Sequence, residues 1–493
     1  MNQRNQMEES EAMQACNYIQ GQWKKAAGQK TFEQRNPANL AEVTGLYADS
    51  SPDDTKEAIA AAHAAFGPWR AKSPHERQAI LKKALQLIVE RREQIAAVIT
   101  RENGKTLAES RGEIDSAIKE MDFQIAEGMR MMGKTVPVEI GGTLAYSTRE
   151  PRGAVGVIAP WNFPFNVPGR KCTPALMAGN TVVFKPASLT PGVGIEFTRA
   201  LHDAGIPAGV FNCVTGSGRN VGGVIVGDPR IKAISFTGST PVGKGIQKQA
   251  ADNLTPCQLE LGGKNPAIVM DDADLDLAAP AVARAAFACA GQWCTSTSRV
   301  IAMRAIAPAL IERLAAEIAK IQVGDGMDPK TGMGPVCGTE QRGVILDYIR
   351  KGQAEGAKLH SGQQVPADAS EKSCFINPVM FTGVTPRMTI AQEEIFGPVL
   401  SVLTVDTFEE AVALANDVPF GLASSIFTRN LGHALTFMEK TDVGLAHVNI
   451  MSSYKEPQLE FGGVKESGSG LPEAGSSGIH FFTEHKVCYV KYR

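Results

Sequence analysis

Histidine is scarce in this chain of 493 residues, with only eight, and no run of like charge occurs. Nine cysteines, an odd number, include no Cys-x-x-Cys pair, so neither a zinc cage nor a disulfide framework is suggested. Fifty Lys+Arg face 52 Asp+Glu, a net charge near −2, so no global field draws nucleic acid or anionic lipid. No apolar stretch approaches the roughly 18 residues that a membrane helix needs. The first seventeen residues are polar and lack the apolar core of a signal peptide. From these absences we expect a cytoplasmic protein with reduced thiols and no metal, nucleic-acid partner or membrane partner.

What is present points to several packed cores. The chain is 43% hydrophobic and 21% charged, which excludes a largely disordered protein. At roughly 100–200 residues per domain, two to four domains are expected. Residues 1–17 read as a loose tail. Pro52-Asp53-Asp54 signals a helix start, and Glu76 to Arg101 carries Ile80, Leu81, Ala84, Leu85 and Ile88 on one stripe until Asn103-Gly104. From residue 153 short β-branched runs recur at Val155–Ile158, Thr181–Phe184, Val210–Val214 and Ile231–Phe236, with helical stretches such as Pro191–Ala204 between them. That alternation predicts a parallel, doubly wound sheet, whose ligands sit beyond the carboxyl ends of the strands. A second alternation, starting at Pro266–Val269, fills roughly 265–445, and His480–Tyr492 reads as a closing strand.

Two glycine loops follow strands. Gly216 to Gly222 misses the GxGxxG spacing by one residue. Gly238-Ser239-Thr240-Pro241-Val242-Gly243-Lys244-Gly245 has GxxxxGK, but Gly245 replaces the hydroxyl that would hold Mg²⁺, and Pro241 removes an amide. A nucleotide hydrolase is therefore one alternative. The others are a phosphate cradle of a different kind and a tight connection with no ligand.

Cys294 lies in Phe287-Ala288-Cys289-Ala290-Gly291-Gln292-Trp293-Cys294. The polar residues after it could open a helix that lowers the thiol pKa. Upstream, Glu260 stands between two leucines before Gly262-Gly263-Lys264, where desolvation would raise its carboxyl toward a working base. A packed thiol and a strand-end charge are the bland readings of the two residues.

The ordered set Trp161-Asn162-Phe163-Pro164, Lys185-Pro186-Ala187, Phe236-Thr237-Gly238-Ser239, Glu260 to Lys264, Gly291 to Cys294, Glu394-Ile395-Phe396-Gly397-Pro398 and Phe461 to Gly468 resembles the NAD(P)-dependent aldehyde dehydrogenase superfamily. The likeness runs from about residue 18 to the C-terminus. It implies an α/β fold with a Rossmann-type doubly wound cofactor domain (18–132 and 152–261). A catalytic α/β domain (262–470) and a small β oligomerisation arm (133–151 and 471–493) would complete it. It also implies a homodimer or homotetramer acting on a small aldehyde.

By the same resemblance Cys294 is the nucleophile and Asn162 helps form the oxyanion hole. Glu260 activates the hydrolytic water, and Lys171 lies near the nicotinamide ribose. Ile158, Pro160, Trp161, Lys185, Ala187, Ser188, Gly218, Thr237, Gly238, Ser239, Gly243, Leu261, Glu394 and Phe396 are expected around the dinucleotide. Ser188 stands where NAD-preferring relatives often carry Glu, so NADP is expected to be accepted and favoured, with NAD as the alternative. Cys289, Glu460 and Leu471-Pro472 also depart from the commoner residues.

Arg170, before Lys171, resembles members that act on succinic or 2-oxoglutaric semialdehyde, where a guanidinium matches the far carboxylate. A structural ion pair is the alternative. The succinic enzymes often have a second Arg six residues before the cysteine, where this chain has Ala288. Phe163 and Trp293 are expected as tunnel walls. The rival functions are a broad enzyme for uncharged aldehydes, a CoA-acylating relative, and a non-catalytic protein on this fold.

Overall fold

The computed structural model describes residues 15–361 and 372–493. Of the expected tail, residues 1–14 lie outside the described residues, and its end is corrected by the structure. Cys16 and Asn17 open the strand Cys16–Ile19. The Asn17 side chain is fully buried between Ser50 Oγ (2.8 Å) and the Thr215 amide (3.1 Å), partners that make its burial tolerable.

The alternation after residue 153 builds an eight-stranded sheet. Its order is Gln22–Lys25, Cys16–Ile19, Phe211–Cys213, Thr181–Lys185, Ala154–Ile158, Ile231–Thr237, Cys257–Glu260 and Gly468–Ser469. The strands from Phe211–Cys213 to Cys257–Glu260 run parallel. They are buried on both faces, which is why they read as continuous apolar runs. A seven-stranded sheet follows, in the order Lys358–Ser361, Val379–Thr382, Val399–Val405, Thr297–Met303, Asn265–Val269, Ala423–Phe427 and Leu445–Val448. The chain crosses from one sheet to the other through only four residues, Leu261 to Lys264.

Helix ends follow local chemistry. Ser51, Ser73 and Thr106 each make a capping box with the acid three residues on. Gly104, at φ 98°, closes the helix Arg92–Asn103. The single helix expected from Glu76 to Arg101 is two, Pro74–Glu90 and Arg92–Asn103, broken at Arg91 (φ −95°, ψ 9°). Ile88 and Ile95 are seven residues apart, so the apolar period runs through the break and conceals it. Both pieces bury their stripe in one core with Val155, Val157 and Phe184.

Two boundaries also move. Gly468–Ser469 pairs with Leu259 and Glu260, so the end of the expected catalytic segment lies on the first sheet. Residues Ser477–Phe481 form a short helix, and the last strand starts at Thr483 rather than His480. Ile479, Phe481 and Phe482 join the first core, because their apolar side chains find it more readily than a surface arm. The strand Thr483–Lys491 pairs along its length with Thr143–Pro151, and Lys134–Val136 pairs on the other side. No helix among the described residues is long and apolar enough to cross a membrane.

Candidate active site

Glu260 ends the last parallel strand of the first sheet, and Cys294 precedes a strand of the second. Both line one cavity of about 860 Å³, together with Asn162, Phe163, Arg170, Thr237, Leu261 and Trp293. Residues far apart in sequence therefore meet at the seam between the two sheets.

The cysteine loop is held in an unusual backbone form. Cys289, Ala290 and Gly291 take φ of 52°, 54° and 68° in succession, and Phe396 takes 55°. A Cβ on Gly291 would land on the Gly397 carbonyl, so this loop and the Glu394–Pro398 segment are packed backbone to backbone. The Asn265 amide fixes the Cys294 carbonyl at 2.7 Å, and Asn162 Nδ2 donates to the Gln292 carbonyl at 3.1 Å. Beneath Asn162, the buried Lys105 ammonium donates to its backbone carbonyl and to Glu113, both at 2.6 Å. Phe163 and Trp293 meet with ring centres 5.0 Å apart.

Each glycine after Glu260 has a steric reason. A side chain on Gly262 would strike the Glu394 carboxylate, and one on Gly263 would come within 2.8 Å of the Cys294 carbonyl. Glu394 accepts the Gly263 amide at 2.9 Å, and burial pushes its carboxyl up to about 7. Gly243 likewise gives way to Leu261, whose Cδ2 would lie 2.5 Å from a Cβ there. Phe396 meets Trp161 edge-on at 5.3 Å.

Burial and the nearby Glu473 charge hold the Glu260 carboxyl well above its ordinary range. Its Oε2 has no partner among the described residues. Burial also pushes the Cys294 thiol up to about 12; Arg170 pulls it down, while Glu260, Glu394 and Glu473 push it further up. The helix expected after Cys294 is absent: the chain turns directly into the strand Thr297–Met303, so no helix dipole lowers this thiol.

Arg170 and Lys171 are committed to the protein. Arg170 donates to Glu120 (2.7 Å), Glu473 (2.8 Å) and Asn166 (2.7 Å), while Lys171 pairs with Glu473 (2.7 Å) and donates to Ser235 (2.9 Å). The guanidinium expected to face a substrate carboxylate lines the cavity and is held there by two internal carboxylates. Sequence reasoning missed Glu473 and Glu120. The only signal was Leu471-Pro472 beside Glu473, a departure from the commoner residues.

The cofactor residues gather at the carboxyl ends of the parallel strands. Ile158, Lys185 and Thr237 end three of them, and Ala187 and Ser188 follow the second. Lys185 donates to the Pro186 carbonyl (3.0 Å), and burial brings its ammonium down to about 8. Ser188 is exposed and donates to the Gly216 carbonyl at 2.9 Å. Gly218 begins a π-turn, Gly218–Gly222, which is why the glycine spacing departs from the usual fingerprint. The helix Thr240–Ala251 starts after Gly238-Ser239, and Ser239 does not use its hydroxyl as a cap. Lys244 pairs with Glu466 (2.7 Å), so it does not serve the glycine loop as a nucleotide hydrolase requires.

Residues 23–488 match the model of the aldehyde dehydrogenase family. The chain belongs to that family. It is 42% identical over 476 residues to the alpha-ketoglutaric semialdehyde dehydrogenase of Bacillus subtilis, covering 96% of this chain and 98% of that protein. It is 40% identical to the alpha-ketoglutarate semialdehyde dehydrogenase of Haloferax volcanii, covering 97% and 99%. The crystal structure of an NAD-dependent aldehyde dehydrogenase from Sinorhizobium meliloti superposes with a TM-score of 0.94 at 37% identity, covering 98% of this chain and 96% of that one. This aldehyde dehydrogenase therefore has the family fold along nearly its whole length.

The site also fits a dinucleotide. Thr237 Oγ1 is buried without a partner among the described residues, and a helix begins three residues later. Uncommitted donors at a helix start suit a pyrophosphate.

Proposed function

We propose that this aldehyde dehydrogenase oxidises a short aldehyde bearing a distal carboxylate, of the succinic or 2-oxoglutaric semialdehyde kind, to the diacid. The observation that carries the chemistry is the meeting of Cys294, Asn162 and Glu260 in one cavity. The names of the Bacillus and Haloferax relatives support the substrate class.

Cys294 Sγ attacks the carbonyl carbon to form a thiohemiacetal, while Asn162 Nδ2 and the Cys294 amide hold the oxyanion. The dinucleotide, when bound, supplies the hydride acceptor. Collapse leaves a thioester, and Glu260, kept basic by its burial, takes a proton from the water that hydrolyses it. The Lys171 charge pulls the Glu260 carboxyl down against its burial, and Lys171 is itself steadied by Glu473. Glu394 and Phe396 would hold the nicotinamide ribose, Lys185 the adenosine ribose, and Gly238, Ser239 and Thr237 the pyrophosphate. Ser188 puts no carboxylate against a 2′-phosphate, so NADP is accepted. The chain assembles as a homodimer or homotetramer through the arm strands.

The test mixes protein with NAD or NADP and succinic semialdehyde, 2-oxoglutaric semialdehyde or butanal. The reduced-nicotinamide absorbance should rise fastest with a carboxylated aldehyde. Faster oxidation of butanal would favour the broad-specificity alternative and overturn the substrate class.

A further inference from the structure

Between the strand Ala154–Ile158 and the helix Asn166–Ala178 the chain forms neither helix nor strand. This stretch carries Asn162 and Phe163, and its peptide groups have no ladder to pair with. Side chains from one neighbouring region satisfy them. Asn103 Nδ2 donates to the Trp161 carbonyl (2.9 Å), and Lys105 Nζ donates to the Asn162 carbonyl (2.6 Å). Glu113 Oε1 accepts the amides of Phe165 (2.8 Å) and Asn166 (3.1 Å), while its Oε2 takes the Lys105 ammonium (2.6 Å). One ion pair thus grips the segment on both sides of Phe163-Pro164.

Lys105 and Glu113 are 2% and 3% exposed. A charged pair at that depth is a costly way to satisfy three backbone groups, because both ions must leave water. Burial pulls the Lys105 ammonium down, yet the Glu113 charge, with smaller help from Cys289 and Glu109, keeps it above the ordinary lysine value. The same Nζ lies 4.1 Å from the centre of the Phe163 ring, a cation–π contact. Phe163 in turn meets Trp293, the residue before Cys294. The base of this hook is fixed as well. A Cβ on Gly334 would strike the Gly104 carbonyl, and one on Gly326 would come within 2.5 Å of the Lys105 carbonyl, so residues 104 and 105 lie backbone to backbone against that stretch.

Asn162 has two side-chain N–H groups. One donates to the Gln292 carbonyl at 3.1 Å, and the residue lines the cavity, which leaves the other for the oxygen of a bound aldehyde. We propose that Lys105, anchored by Glu113, is a positioning residue for the oxyanion hole: it fixes the Asn162 backbone so that the side-chain amide meets the oxygen as charge develops there. The inference rests on Asn162 being the oxyanion donor and adds the group that sets its place. A misplacement of about 1 Å in such a donor can cost about 10²-fold in rate.

The experiment measures turnover of the fastest of the three aldehydes above in the wild type, Lys105→Met, Asn162→Ala and the double variant. Asn162→Ala should lower kcat about 10²–10³-fold and Lys105→Met about 10–100-fold, with KM for the aldehyde within about twofold of the wild type. The double variant should lie within about twofold of Asn162→Ala alone, because without the amide Lys105 has nothing to place. Alkylation of Cys294 by iodoacetamide displaces iodide and builds no oxyanion, so its rate should stay within about twofold in every variant. Losses that multiply in the double variant overturn the proposal. So does a fall in alkylation equal to the fall in turnover, which would mean a displaced Cys294 loop. If Lys105→Met does not fold, Glu113→Gln replaces it in the cycle: its amide oxygen still accepts the Phe165 and Asn166 N–H groups, but the charge that anchors Lys105 is gone. If Asn162→Ala keeps the wild-type rate, the oxyanion reading itself fails; if Asn162→Ala is slow and Lys105→Met is not, only this inference fails.

Discussion

Lys171 and Glu473 form an ion pair of 2.7 Å in which both side chains are almost wholly out of solvent. Burial raises the Glu473 carboxyl, but the Lys171 and Arg170 charges outweigh it and hold it below the carboxylate range. Such a pair is costly to break, because the buried Lys171 has no other carboxylate at ion-pair distance among the described residues. Glu473→Gln should lower stability by about 3–5 kcal/mol, read as a shift in the denaturant midpoint. The depressed folded value also sets a sign. The contribution is complete above the unfolded carboxyl value and is lost as pH falls through the folded one. Acid destabilisation below about pH 4.5 should therefore be shallower in Glu473→Gln than in the wild type. Equal slopes would contradict the pairing.

Cys294 tests how the nucleophile is armed. With its thiol pushed up to about 12 in the cofactor-free protein, alkylation by iodoacetamide should climb about tenfold per pH unit between about pH 7 and 9. It should not level off in that range. A plateau near neutrality would mean a preformed thiolate. Cys294→Ser should retain dinucleotide binding and show no turnover.

Glu260 separates the two halves of the reaction. In Glu260→Gln the thioester should still form, giving one equivalent of reduced cofactor per site in a rapid burst. Steady-state turnover should fall about 10²–10⁴-fold. Unchanged steady-state turnover would remove the hydrolytic role.

Ser188 concerns the cofactor alone. Ser188→Glu should raise KM for NADP about tenfold through like-charge repulsion while sparing NAD. A parallel change for both would place residue 188 away from the 2′-position.

Gly262 links the two sheets to the cofactor crevice. Gly262→Ala puts a methyl on the Glu394 carboxylate. Dinucleotide affinity should weaken, with fluorescence titration as the readout, and melting should change little. Unaltered affinity would separate Glu394 from the nicotinamide ribose.

The strands around Val155, Val182 and Ile234 were legible because burial on both faces leaves continuous apolar runs, and the motif order carried the family. The break at Arg91 was not legible, since an apolar period cannot distinguish one straight helix from two aligned ones. The commitment of Arg170 was not legible either, since Glu120 and Glu473 lie 50 and 303 positions away.

Local chemistry written in the chain determined the caps, the glycines that yield to Glu394 and the Cys294 carbonyl, and the identities of thiol, amide and acid. Long-range packing alone decided which charges neutralise one another inside the cavity. Ion pairing depends on distance in space, and folding brings together carboxylates and cations whose separation along the chain gives no hint of their meeting. That is why the pairing of Arg170 with Glu120 and Glu473 came to light only in the folded chain.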